Sequence, residues 1–227
     1  MPQQIIIGDP TTPAQQAQVD GNAATGVQMA ERVSIRPMDF GQPFSNYGSY
    51  SGSFTTGTIA AGSGAIFVCA FRNGDANRTM LIRRIRMHQG WVVTTTAAGA
   101  CVGEVLVARA YTVVDSTGGT LQTAPSKRRA TMGASQATIY MSTTGALSGG
   151  TRLTDSNSIA TVVQAAQAAA GATMFQGALG DLWDSREPGK YPLTLVTNEG
   201  FLVRSTAPAT GTFVVSVDID WDEVQNY

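Results

Sequence analysis

From Pro192 onward the chain reads PLTLVTNEGFLVRSTAPATGTFVVSVDIDWDEVQNY, and no other stretch restricts its fold so strongly. Two apolar, β-branched runs, 193–196 and 201–204, flank Asn198-Glu199-Gly200, and a third, 212–221, follows a Pro/Thr/Gly turn. Short strands punctuated by such turn residues read as a β-meander. In the third run Phe213, Val215, Val217, Ile219 and Trp221 occupy every second position, with Ser216, Asp218, Asp220 and Asp222 between them. A period of two puts the large apolar residues on one face and the polar ones on the other, as in a strand covering a core.

The same pattern predicts strands over 65–72, 79–88, 102–113, 137–143 and 153–161, with turns at 73–75, 94–99, 115–119 and 145–150. In TMLIRRIRMH, Met80, Ile82, Ile85 and Met87 are apolar, but the pair Arg83-Arg84 shifts the phase by one residue. A β-bulge there reconciles the two halves. Phe40, Phe44, Tyr47, Tyr50 and Phe54 are interrupted by Gly41, Gly48 and Gly52, which reads as a loop whose rings pack on the sheets. Residues 162–170, VVQAAQAAA, suit a short helix or an Ala/Gln loop, and Trp183 falls in the connection after it.

These expectations describe an all-β chain: an antiparallel β-sandwich over residues 46–227 with an extended arm over 1–45. A chain of 227 residues suffices for one such domain. The arm is rich in Gln, Pro, Thr and Ala and cannot form its own core. Its one apolar cluster, Ile5, Ile6 and Ile7, is suited to adding a strand to the sheet edge of a neighbouring subunit. Residues 26–36 could form a helix or a first strand, ended by Pro37.

Composition narrows the function. Charged residues make up 14% of the chain, against about 25% in an average soluble domain. So little charge suggests a surface that is largely covered in use. Lys127 and Lys190 are the only lysines, so the positive charge is carried by Arg, which suits fixed bidentate contacts. A GC-rich genome would also raise Arg and Ala, so composition alone leaves that choice open. A net charge of -1 gives no reason to expect nucleic acid as a partner. No apolar run approaches the ~18 residues of a membrane span, and no secretory leader is recognisable at the N-terminus.

No residue pattern supplies catalysis, a cofactor site or a metal site. His88 is the sole histidine, which removes two-His metal sites and most triads. Cys69 and Cys101, in separate predicted strands without CxxC spacing, read as buried free thiols. Asp218, Asp220, Asp222 and Glu223 alternate outward and could touch Ca²⁺, although a solvated or Arg-binding edge suits them better. Ser126-Lys127-Arg128-Arg129, the densest positive patch, could clamp a neighbour's carboxylate or phosphate. Asp184 and Glu187 beside Trp183 suggest a sugar site only weakly. The interface candidates are therefore Ile5, Ile6 and Ile7 as arm anchors, with Arg128, Arg129, Asp218 and Asp220 as polar contacts.

VARAYTVVDSTGGT (107–120), STTGALSGGTRLTDSNSI (142–159) and PLTLVTNEGFLVRSTAPATGTFVVSVDIDWDEV (192–224) together resemble bacteriophage virion structural proteins, over roughly residues 65–224. The resemblance implies a β-sandwich of jelly-roll type, repeated over the particle as a head decoration (cement) protein or a related minor component. It carries no enzymatic residue and no cofactor. The partners it implies are the major capsid protein and further copies of the chain, a trimer among the options, and the location it implies is the virion, assembled in the host cytoplasm. A tail adaptor, baseplate or fibre-attachment subunit is the alternative within the virion. A carbohydrate-binding sandwich stacking sugars on Trp91, Trp183 and Tyr191 is the alternative outside it.

Overall fold

The computed structural model describes residues 5–7, 15–17, 46–62, 64–93, 99–123, 125–166, 180–185, 190–207 and 209–225. The chain separates into two compact units, Met1–Phe40 and Gly41–Tyr227. In the first, β1 (Ile5–Ile7) pairs antiparallel with β2 (Gln15–Ala17), Ile5 opposite Ala17. The Ile triplet, expected to add to a neighbouring subunit's sheet edge, is thus a strand with a partner from its own segment. The element expected over 26–36, the rings of Phe40 and Phe44, most of the 94–99 turn and Glu187 lie outside the described residues.

The second unit begins with β3 (Asn46–Thr55), β4 (Ile59–Ala60), β5 (Ala65–Asn73), β6 (Arg78–Val93) and β7 (Gly99–Val113). It continues with β8 (Gly119–Leu121), β9 (Ser126–Lys127), β10 (Ala137–Ser142), β11 (Thr151–Thr154) and β12 (Ala160–Ala166). The last strands are β13 (Gly180–Asp184), β14 (Leu193–Leu195), β15 (Glu199–Thr206) and β16 (Thr212–Gln225). They form two 7-stranded antiparallel sheets packed as a sandwich. One has the order β11-β7-β15-β5-β10-β8, with β12 also on β7; the other runs β13-β6-β16-β3-β9, with β14 on β6 and β4 on β16.

Alternation in β16 builds the centre of the core. Phe213, Val215, Val217, Ile219 and Trp221 are all buried. The Trp221 indole stacks on Tyr50 at 5.7 Å and meets Phe71 edge-on at 5.5 Å, and Phe71 stacks on Phe201 at 4.9 Å. These contacts tie β3 and β16 of one sheet to β5 and β15 of the other. Each such pair adds about 0.5–1.5 kcal/mol beyond its area burial.

The aromatic–glycine stretch is a strand, β3, and not the expected loop. Tyr50 and Phe54 point into the core while Ser49, Ser51, Ser53 and Thr55 pair outward along β16. The glycines do not break this strand because the rings lie over them: a Cβ at Gly48 would meet the Tyr50 hydroxyl at 2.5 Å, and one at Gly52 would strike the Phe54 ring. A glycine two residues before an aromatic shares its face and leaves room for the ring. Residues 160–166 are likewise strand β12, paired with β7 from Ala160↔Val105 to Ala166↔Gly99, and not the expected helix or loop. The open edge of β7 overrides an Ala-rich helix preference. Trp183, expected in a connection, lies in β13 opposite Ile85. In β6 the register against β16 passes from Asp220↔Arg84 to Trp221↔Ile82, which leaves Arg83 as the extra residue.

Residues 114–150 leave β7, reach the far edge of both sheets as β8, β9 and β10, and return to β7 as β11. On the way they cover the outside of the first sheet. Ala70, Ala108 and Leu202 alternate with core residues of their strands and form a separate cluster with Tyr111 and Leu147. The Leu147 amide is fixed to the Phe67 carbonyl at 2.9 Å.

Candidate functional site

Four neighbouring strands of the second sheet, β3, β16, β6 and β13, carry a row of polar residues on its outer face. Across it the register aligns Ser53, Asp218 and Arg86, with Asp181 opposite Arg86. Asp181 accepts from Arg86 at 2.6 Å and from Arg84 at 3.2 Å. Ser53 donates to one oxygen of Asp218 at 2.5 Å, and His88 lies 3.4 Å from the other. Asp220 takes Arg128 at 3.1 Å. Of the carboxylates expected to face outward, Asp220 takes an Arg while Asp218 takes Ser53 and lies against His88, both on a central strand and not on an edge. Two of the four are not exposed: Asp222 and Glu223 are buried, Asp222 held by Arg83 and Ser49 and Glu223 by Arg78 at 2.6 Å.

Arg128 and Asp220, both expected to contact a neighbour, thus meet each other inside the chain. Arg129 is exposed. Its carbonyl accepts from the Met132 amide at 3.2 Å, closing the turn after β9. Ile5, Ile6 and Ile7 lie in the β1–β2 ladder. Of the four expected interface residues in the second unit, Arg128 and Asp220 are brought together, Asp218 is held by Ser53 and His88, and Arg129 stands in the turn after β9.

Two polar clusters that motif reading missed pin the 114–150 excursion. At its start, the Tyr111 phenol donates to Asp115 at 2.6 Å while the Asp115 amide donates back to the phenol oxygen at 3.1 Å. At its end, Arg152 donates to the other Asp115 oxygen at 2.5 Å, as does the Gly150 amide at 3.2 Å. Asp115 is fully buried, and burial together with the bond to Asp115 pushes the Tyr111 phenol well above its usual range. The Arg152 guanidinium lies 5.1 Å from the Phe67 ring centre and 5.8 Å from that of Tyr111. Ala110, at φ 47, breaks the strand alternation so that Tyr111 turns to the same side as Ala108. In the middle of the excursion, Glu223 accepts from the Ser135 hydroxyl at 2.6 Å and the Gln136 amide at 3.0 Å. Nothing in the spacing of Tyr111, Asp115 and Arg152 announces this, because its members come from a strand, a turn and a returning strand.

Chemically these groups hold and orient; they do not assemble a nucleophile with a base. In the Ser53–Asp218–His88 row the carboxylate sits in the middle, so the hydroxyl faces Asp218 and not the imidazole that a triad requires. Among the described residues no group of three His, Cys, Asp or Glu side chains could hold a metal ion. Cys69 and Cys101 are free and buried, and burial pushes the Cys69 thiol up to about 12, which keeps it protonated and unreactive.

The aromatic platforms are not brought together. Trp183 and Trp91 are half-buried against the core, Trp91 edge-on to Phe213 at 5.8 Å. Tyr191 alone stands clear, 77% exposed. Trp91 also lies six residues along β6 from Ile85, the partner of Trp183, roughly 20 Å at strand rise. No helix of the described residues is long and apolar enough to cross a membrane. No family model, curated protein or solved structure matches this chain.

Proposed function

We propose that this chain is a non-enzymatic bacteriophage virion structural protein: a head decoration subunit that binds the major capsid lattice and stabilises it in many copies. The observation that carries the reading is where the virion-like segments fall. Residues 107–120 form the end of β7 and the Tyr111–Asp115 corner, 142–159 form the return of the excursion over the first sheet, and 192–224 form β14, β15 and β16. They are the parts that set the shape.

Strand order supports the same reading. β3, β16, β6 and β13 in one sheet and β5, β15, β7 and β12 in the other are connected in the double Greek-key order of a jelly roll. Viral capsid domains share that order with lectins and cupins, so the fold alone does not select the function. Many modest contacts repeated over a closed shell add up to large stabilisation, and each copy needs only a weak one.

Purified protein mixed with empty phage heads tests the proposal by co-sedimentation. Saturable pelleting at high copy number is the expected result. Protein that stays in the supernatant with heads but pellets with tails moves the assignment to a tail adaptor, baseplate or fibre-attachment subunit, and protein that binds neither rejects a virion role.

A further inference from the structure

Sheet edges invite pairing with other chains, and soluble proteins shorten them or place charge on them. Most edges of this sandwich follow that rule. β8 and β14 are 3 residues long and β9 is 2, the last carrying Lys127 and leading into Arg128. β13 carries Asp181, held by Arg84 and Arg86, and the 4-residue β11 carries Arg152. β12 departs from it. It is 7 residues long, pairs only with β7 among the described residues, and no charged residue occurs between Asp155 and Asp181. Its core-facing Val162 packs at Gly180, while Val163 is 64% exposed, Leu153 on the neighbouring β11 is 70% exposed and Ile159 just ahead of β12 is 37% exposed.

We infer that β12 pairs edge to edge with β12 of a second copy across a two-fold axis, joining the β7-containing sheets of two copies into one continuous sheet. Charge complementarity selects this occupant. A strand lying along β12 sets its side chains beside the exposed apolar Val163, Leu153 and Ile159, where an uncharged strand fits and a charged one finds no partner. β12 is the one edge strand of the sandwich among the described residues that is both uncharged and long enough to match it. A two-fold axis makes the pairing antiparallel automatically, in keeping with every pairing in the sheet. Being isologous, the contact closes after two copies and cannot propagate into fibres. The other uncharged strands are 2 or 3 residues long (β1, β2, β4, β8 and β14) or lie between two neighbours in their sheet (β3 and β10).

The inference names a surface for the self-association in the proposed function and does not need its virion part. A dimer that ignores phage heads would refute decoration and leave β12 pairing intact. Sedimentation of the full chain at tens of micromolar should give twice the 23.7 kDa chain mass, or an even multiple of it. The doubly substituted Thr161→Lys/Val163→Lys chain, altered only at exposed positions, should run at half the unsubstituted mass with an unchanged circular dichroism spectrum. Independently, Thr161→Cys or Val163→Cys should give a covalent dimer on mild oxidation, while the parent chain, whose thiols are buried, gives none. A monomeric parent chain, or a lysine variant that keeps the parent mass, overturns the proposal. So does a cysteine at 161 or 163 that cross-links to one introduced at Ile6 and not to its own copy.

Discussion

A carboxylate without solvent, such as Asp115, is stable only while donors replace its lost hydration, and here the Tyr111 phenol, the Gly150 amide and Arg152 do so. Removing one partner of a buried ion pair leaves the other charge stranded, which costs about 3–5 kcal/mol. Asp115→Ala should therefore lower stability by about that amount in urea unfolding. Asp115→Leu combined with Arg152→Met should cost less than the single change, because no charge is then left behind. A single change that costs under about 1 kcal/mol would show that the cluster is replaceable. This residue was legible only as the first member of a turn. Its partners lie four and thirty-seven positions away, on no shared period, so the pairing exists only once the excursion has closed.

At the level of elements, what could be read was apolar pattern between turn residues. β6 and β16 present apolar residues at period two, β5 and β15 as short unbroken apolar runs, and even the phase slip at Arg83-Arg84 corresponds to a bulge in the register. β3 and β12 differ from the sequence expectation for one reason: each departs from strand composition where a neighbour supplies what the sequence lacks. In β12 the neighbour is β7, whose edge accepts an Ala-rich segment. In β3 the missing bulk at Gly48 and Gly52 is the ring two residues on. Gly52→Ala should thus destabilise the fold by about 1–3 kcal/mol, the cost of displacing a packed side chain, even though alanine normally suits an extended backbone better than glycine. A stability equal to or above the parent in urea would show that Phe54 can move aside freely.

Taken whole, the molecule is asymmetric in how its two ends matter. β16, late in the sequence, lies in the middle of its sheet between β6 and β3, and its Trp221 touches both Tyr50 and Phe71. Asn46 and Val224, far apart in the chain, are register partners, so the second sheet closes only when β16 has docked. Such non-local pairing places folding in the millisecond-to-second range common to β-sandwiches. The first unit, in contrast, is a separate compact piece, and the buried side chains described for the core begin at Tyr50. Deleting residues 1–25 should then leave a single cooperative unfolding transition with the parent's midpoint, whereas a chain ending before Thr212 should show none. The same N-terminal deletion separates folding from attachment. If the arm is what fastens each subunit to the capsid lattice, the shortened chain stays in the supernatant when heads are pelleted, and a shortened chain that still decorates heads normally moves the attachment surface onto the sandwich.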